Sequence, residues 1–192
     1  IQAELERGTG YALYSAMHSG LGRPVLLKVI TAGASATPQA RQRFVQEAAL
    51  LRTLDHPSVQ TVLEVGEAAG QPYVALEPAQ AQRLSVLLQQ RTDPLPAMTV
   101  AQIALHLAGA LEHAHERGVV HRDVSLGSVL LQSNGVPLLT DFGYTKDVDP
   151  SLPGVAQTGR CMGTPGYSAP EQATGQIALI GPASDIYGLG AV

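Results

Sequence analysis

Cysteine is almost absent. Cys161 stands alone among 192 residues, which excludes an internal disulfide and fits a reducing compartment, here read as the cytoplasm. Basic residues are also scarce. Twelve Lys and Arg against sixteen Asp and Glu leave a formal charge of −4, so the chain has no cationic footprint for nucleic acid. No apolar run approaches the roughly 20 residues needed to span a bilayer, and no signal peptide is visible. Internal repeats and low-complexity tracts are missing too. Charged residues make up only 15% of the chain and apolar ones 45%, a balance that suits a globular protein and not a disordered one. The length is enough for one domain with a sizeable core. The chain begins at Ile1 and stops within the apolar stretch "SDIYGLGAV"; both ends read as cuts through a longer protein.

What is present begins with strand patterns. "GYALYSAM" and "RPVLLKVI" alternate or run apolar around "HSGLG", a hairpin turn. "TPQARQRFVQEAALLRTLDHP" carries helix signals at both ends: Thr37 can cap, Pro38 suits the first helical position, and Pro57 lies just beyond. Phe44, Ala48 and Leu51 share one face at helical spacing. Glu47 falls within that apolar stripe, where a carboxylate must reach out to water or find a partner. "TVLEVGE" and "QPYVALE" read as strands joined by "AAG". Five strands and one helix are expected for this part, four of the strands assignable to residues. "PAQAQRLSVLLQQRTDPLP" reads as a linker and a short helix. "TVAQIALHLAGALEHAHERG" is a long amphipathic helix stopped by Gly118. "VLLQ" and "VPLLT" flank "SNG", a hairpin turn. A polar segment rich in Gly and Pro follows from Asp141 to about Gly181, and the last apolar stretch is expected to be a buried helix. His106, His113 and His115 lie on or near the long helix, but without a Cys or carboxylate cluster at ligand spacing they predict no metal site.

Five signals stand in one order: Lys28 in "VLLK", Glu47 in its helix, "HRD" at 121–123, "DFG" at 141–143 and "APE" at 169–171. Any one alone is weak. The ordered set is the signature of protein phosphoryl transfer. The chain resembles a protein kinase of the bacterial serine/threonine type, to which "LEHAHERGVVHRD", "GTPGYSAPEQ" and "SDIYGLG" are close in wording. The resemblance covers essentially the whole chain, from the phosphate-covering loop to partway through the central helix of the large lobe. It implies an α+β, two-lobed fold. Residues 1–76 would form a small lobe with an antiparallel sheet, 77–79 a hinge, and 80–192 an incomplete helical lobe lacking its C-terminal helices.

The resemblance also implies roles. ATP and Mg²⁺ would be the cofactors, and a protein substrate or signalling partner would dock. Lys28 would hold the α- and β-phosphates and pair with Glu47. Asp123 would accept the proton of the substrate hydroxyl. Asp141 would ligate magnesium, a hard cation that prefers carboxylate oxygen, with Ser128 as a second ligand. Gly8, Leu13, Leu26, Ser128 and Leu130 would line the nucleotide site, and Glu77 to Ala79 would meet the adenine through backbone. Thr164 would sit near Asp123. His121, Phe142, Leu51 and Val62 would form a packed column, and Asp185 would anchor the catalytic loop.

Four departures bear on turnover. The phosphate loop reads Glu6-Arg7-Gly8-Thr9-Gly10-Tyr11, and only Gly8 stands in register with G-x-G-x-x-G. Glu6 puts negative charge near an anion and Tyr11 adds bulk, where glycine would let backbone N–H groups approach phosphate. Leu26 replaces the usual alanine at the adenine's roof. Ser125 replaces the lysine that offsets charge on the transferring group. One lost contact of that kind typically costs about 10²–10³-fold in rate. Ser128 replaces the asparagine of the second metal site. Lys146 is the nearest substitute cation in the sequence. Cys161 reads as an ordinary semi-exposed thiol, and Thr145, Ser151 and Thr158 as candidate phosphorylation sites. Two functions follow: a serine/threonine kinase of impaired activity, or a pseudokinase that binds or scaffolds.

Overall fold

The computed structural model describes residues 1–8, 11–31, 38–142 and 163–192, and omits the side chains of Gln39, Ala40, Arg43 and Glu47. It divides into two compact units. The first comprises Ile1–Asp55 and Gln60–Ala79; the second comprises His56–Val59 and the described residues from Gln80 onward.

The first unit is a five-stranded antiparallel sheet with one helix. The strands are β1 (Ala3–Gly8), β2 (Tyr11–His18), β3 (Arg23–Ile30), β4 (Val62–Ala68) and β5 (Gln71–Leu76), in the order β1-β2-β3-β5-β4. β1 completes the expected count from a segment that residue pattern alone did not single out. The β4–β5 turn places Ala69 and Gly70 at φ 50° and 75°, the doubly positive pair of a hairpin turn that follows the strands' own twist. Helix α1 (Pro38–Leu51) starts on the proline, as read from the sequence. It buries Phe44, Ala48 and Leu51 and packs on β4 and β5. The register fixes the functional face. Lys28 lies opposite Leu13 and Val74, and Leu26 opposite Ser15 and Leu76. Residues directly opposite share a face, and alternate residues along a strand do too. Leu13, Leu26 and Lys28 therefore line one side of the sheet.

The second unit is built on helix α3 (Ala97–His115). Leu107, Ala110, Leu111 and Ala114 are fully buried at helical spacing, and form its inward stripe. Gly118, at φ 72°, turns the chain after it in the left-handed region that favours glycine. Strands β6 (Ala81–Arg83), β7 (Val129–Gln132) and β8 (Pro137–Leu139) form a small antiparallel sheet in that order. Helix α2 (Leu84–Gln89) follows β6 directly, so a strand occupies part of what the sequence presented as linker. His56–Val59 reaches this unit through a parallel bridge from Val59 to Leu139, an excursion no residue pattern marked. Two further helices close the chain, α4 (Pro170–Ala173) and α5 (Pro182–Ala191).

Helix α5 corrects one expectation. It is not buried through its large apolar residues: Ile186 and Tyr187 are 53% and 51% exposed, while Ser184, Asp185 and Gly188 are buried. The reason is a close backbone approach. A Cβ on Gly188 would lie 2.8 Å from the Val124 carbonyl oxygen, so the helix packs through its small and polar side. Among the described residues no helix is long and apolar enough to cross a membrane.

Candidate functional site

The loop around Asp123 is held from α5. The Asp185 carboxylate, 1% exposed, accepts backbone N–H bonds from His121 (2.8 Å) and Arg122 (2.7 Å), and lies 2.7 Å from His115 Nε2. His121 is fully buried against Phe142, with ring centroids 4.5 Å apart. Its Nε2–H donates to the Thr140 carbonyl at 2.9 Å, and its Nδ1 accepts from the Asp123 N–H at 3.2 Å. One nitrogen donates and the other accepts, so the ring is neutral; burial pushes its pKa down, against the pull of Asp185. Arg122 and Asp141 adopt φ 67° and 61°. Non-glycine residues in that region cost of order 1–3 kcal/mol each and cluster at functional sites. Gln172 ties the next segment in, its Nε2 donating to the Arg122 carbonyl and its Oε1 accepting from the Ala169 N–H. Asp123 Oδ1 accepts a 2.8 Å hydrogen bond from Thr164 Oγ1, so the loop's carboxylate is presented to a hydroxyl.

The Ser128 hydroxyl is engaged within its own loop, which does not suit the metal-ligand role that the resemblance implies. Ser128 Oγ accepts from the Ser125 N–H and donates to the Ser125 carbonyl, both at 3.0 Å. Its hydroxyl closes the loop as a cap and is 98% withdrawn from solvent with the rest of the residue. Arg83 on β6 lies opposite Leu130 on β7 and extends to the same loop. Its Nη1 donates to the Gly127 carbonyl at 2.5 Å and to Asp141 Oδ2 at 3.2 Å. No local motif announced Arg83, because it precedes Asp141 by 58 residues and only strand pairing brings them together. For magnesium the fit is partial. Asp141 has the hard oxygen the ion prefers but already faces a guanidinium, and Ser128 is turned into its own loop. One ion at Asp141 suits these donors; a second at Ser128 does not. Among the described residues no group of three or more His, Cys, Asp or Glu could hold a metal ion. Beside the loop, a groove of about 500 Å³ is lined by Ser85, Leu88 and Gln89 of α2, by Ser125 to Gly127, and by Thr164 and Tyr167. Among the described residues no charged side chain lines it.

In the first unit, Lys28 is 3% exposed. Its ammonium sits 4.1 Å from the centroid of the Tyr11 ring, within cation–π range. The Tyr11 hydroxyl donates to Glu6 Oε1 at 2.5 Å. The same ring covers Gly8, where an added Cβ would lie 2.3 Å from it. Glu6 and Tyr11 occupy the first and third glycine positions of the expected phosphate loop, so the side chains that replace those glycines bond to each other over Lys28. Leu26 is half-buried on the Lys28 face. The Glu77 carboxylate pairs with Arg23 at 2.9 Å, and its carbonyl accepts from Gln60 Nε2 at 3.4 Å. Ala79 ends the unit. Leu51 and Val62 are buried here, and His121 and Phe142 in the second unit. The Glu47 side chain lies outside the described residues, as do Thr9, Gly10, Thr37, Thr145, Lys146, Ser151, Thr158 and Cys161.

Comparison with known proteins gives the arrangement its family. The protein kinase domain matches residues 2–192. The serine/threonine-protein kinase PknA of Mycobacterium tuberculosis H37Rv is 37% identical over 185 residues, covering 94% of this chain and 42% of that protein. The DNA damage-responsive serine/threonine-protein kinase RqkA of Deinococcus radiodurans is 35% identical over 193 residues, covering 99% of this chain and 28% of that one. The chain thus spans less than half the length of these relatives. Among solved structures, the M. tuberculosis PknI kinase domain superposes with a TM-score of 0.76 at 29% identity, covering 97% of this chain and 66% of that one. The apo form of PpkA-294 gives 0.81 at 26% identity, covering 100% and 72%. With its sheet unit, its helical unit and the clamped loop at Asp123, the chain belongs to the protein kinase family, among the bacterial serine/threonine kinases.

Proposed function

We propose that the chain binds ATP and transfers its γ-phosphoryl group to serine or threonine hydroxyls of a protein substrate, at a rate held down by missing positive charge at Ser125. The observation that carries this reading is the Asp123–Thr164 hydrogen bond in a loop clamped by Asp185. A carboxylate so held can orient an acceptor hydroxyl and take its proton as the oxygen attacks phosphorus and the bond to the leaving ADP oxygen breaks. Lys28 binds phosphate oxygens and Asp141 a magnesium ion. Magnesium supplies charge neutralisation on those oxygens when bound. Leu13, Leu26 and Leu130 give the nucleotide apolar contact, Gly8 a close backbone approach, and Glu77 and Ala79 backbone partners for adenine. The groove at α2, uncharged among the described residues, suits an acceptor segment without basic residues beside its hydroxyl. The single cysteine suits the cytoplasm.

The test is transfer from labelled ATP to a generic Ser/Thr acceptor. Slow but measurable transfer is expected, cut about 10²–10⁴-fold by Asp123→Asn, the range of a lost general base. Transfer indifferent to Asp123→Asn would sink the reading. A second reading, a pseudokinase that scaffolds, draws support from two contacts: Tyr11 over Lys28 and Arg83 on Asp141 engage both charged groups that ATP and magnesium need. It predicts no transfer and no thermal stabilisation by Mg-ATP.

A further inference from the structure

Asp141 carries a carboxylate suited to magnesium, and an arginine faces it. Arg83 Nη1 is anchored by the Gly127 carbonyl at 2.5 Å and lies 3.2 Å from Asp141 Oδ2. The pair is partly buried, with side chains 30% and 27% exposed, where screening by solvent is reduced. Asp141 is fixed in its left-handed backbone at φ 61°, so the carboxylate is aimed from both ends. Ser125 contributes no charge, and Ser128 bonds to its own loop. Guanidinium stays protonated at every relevant pH, and its planar fork matches both carboxylate and phosphate oxygens.

We propose that Arg83 is the resident cation of the Asp141 site, a positioning residue that neutralises this carboxylate whenever no metal ion is bound there, so that nucleotide binds with little dependence on magnesium. An unpaired Asp141 would repel the phosphates until an ion arrived; with Arg83 in place that repulsion is already offset. The same contact sets up a competition, because an ion entering at Asp141 must share or displace the guanidinium. The proposal rests on the nucleotide-binding reading given above, but its test does not depend on turnover.

Two measurements decide it, on the purified protein and its Arg83→Gln and Arg83→Lys variants. Calorimetric titration with ADP, in excess Mg²⁺ and in EDTA, should give the unaltered protein affinities within a few-fold of each other. Arg83→Gln should lose about tenfold or more in EDTA and recover in Mg²⁺, with Arg83→Lys in between because charge remains while the planar fork is lost. Mn²⁺ binding without nucleotide, read by electron paramagnetic resonance, should be tighter in Arg83→Gln than in the unaltered protein. Thermal melts confirm that the variants fold. An unchanged Mg²⁺-to-EDTA ratio in Arg83→Gln overturns the proposal. If no protein binds ADP in either buffer, the nucleotide reading fails; the Mn²⁺ arm then stands alone, and equal Mn²⁺ affinities overturn the Arg83 assignment.

Discussion

Asp185 shows how much one buried carboxylate can organise. It is 1% exposed and takes the N–H groups of His121 and Arg122. Asp185→Ala leaves both N–H groups without their acceptor and removes a buried charge from His115. Breaking such a buried polar network costs about 3–5 kcal/mol, so urea titration should show a large drop in midpoint, and Arg122 should lose its left-handed backbone. His121 carries a pH dependence. In the unfolded chain it takes a proton near its ordinary value of about 6.5. In the fold, burial lowers its pKa, against Asp185, Asp123 and Asp141, which pull it up. Between the two values the unfolded state binds more protons, so stability is full above about pH 6.5 and falls as pH drops below it. His56 adds in the same direction, lowered by burial and then by His113 and His106. Thermal melts from pH 7.5 down to 5.5 should show a falling Tm, and His121→Phe should be less stable throughout but flatter over that range.

At the scale of elements, the informative pairings are those that no window of sequence contains. The proline start of α1, the long stripe of α3 and the hairpins were legible because each is a local pattern of spacing, proline and glycine. β6 was not, since three residues carry no periodicity and its strand character comes from pairing with β7. Arg83 was missed for the same reason. The Tyr11–Glu6 bond was half legible: both residues broke the glycine pattern, but their union over Lys28 needed the β1–β2–β3 register. That union leads to a prediction. Tyr11→Gly should remove the ring from over Lys28 and raise nucleotide affinity by about tenfold, the equivalent of about 1–2 kcal/mol for a desolvated cation–π contact. Fluorescent-nucleotide titration would check it; unchanged or weaker binding would show that the ring supports the site. The stripe of α3 is a simpler case. Leu111 is fully buried, and Leu111→Ala should cost about 2–5 kcal/mol, seen as a lower midpoint in urea.

For the whole molecule, motif order carried most of the legible function. Lys28, Asp123, Asp141 and Asp185 fall within residues 2–192, which match the protein kinase domain, and their charges suit the phosphoryl transfer proposed above. The side chains that set this chain apart were legible as substitutions and illegible as contacts. Ser128 was read as a metal ligand, but it caps its own loop. Lys146, the nearest substitute in sequence for the cation missing at Ser125, lies outside the described residues, and Arg83, which stands at Asp141, was announced by no motif. On the proposed reading, Asp123 is the base held ready, Asp141 is a metal carboxylate already neutralised by Arg83, and the transferring phosphoryl group lacks the cation of position 125. Single-turnover transfer from labelled ATP, comparing the unaltered protein with Ser125→Lys and with Ser125→Lys/Asp123→Asn, tests that claim most directly. The account predicts a gain of about 10²-fold or more for Ser125→Lys, the scale of one preorganised electrostatic contact, and loss of that gain in the double variant. An equal rate in the unaltered protein and Ser125→Lys, or a gain that survives Asp123→Asn, would contradict it.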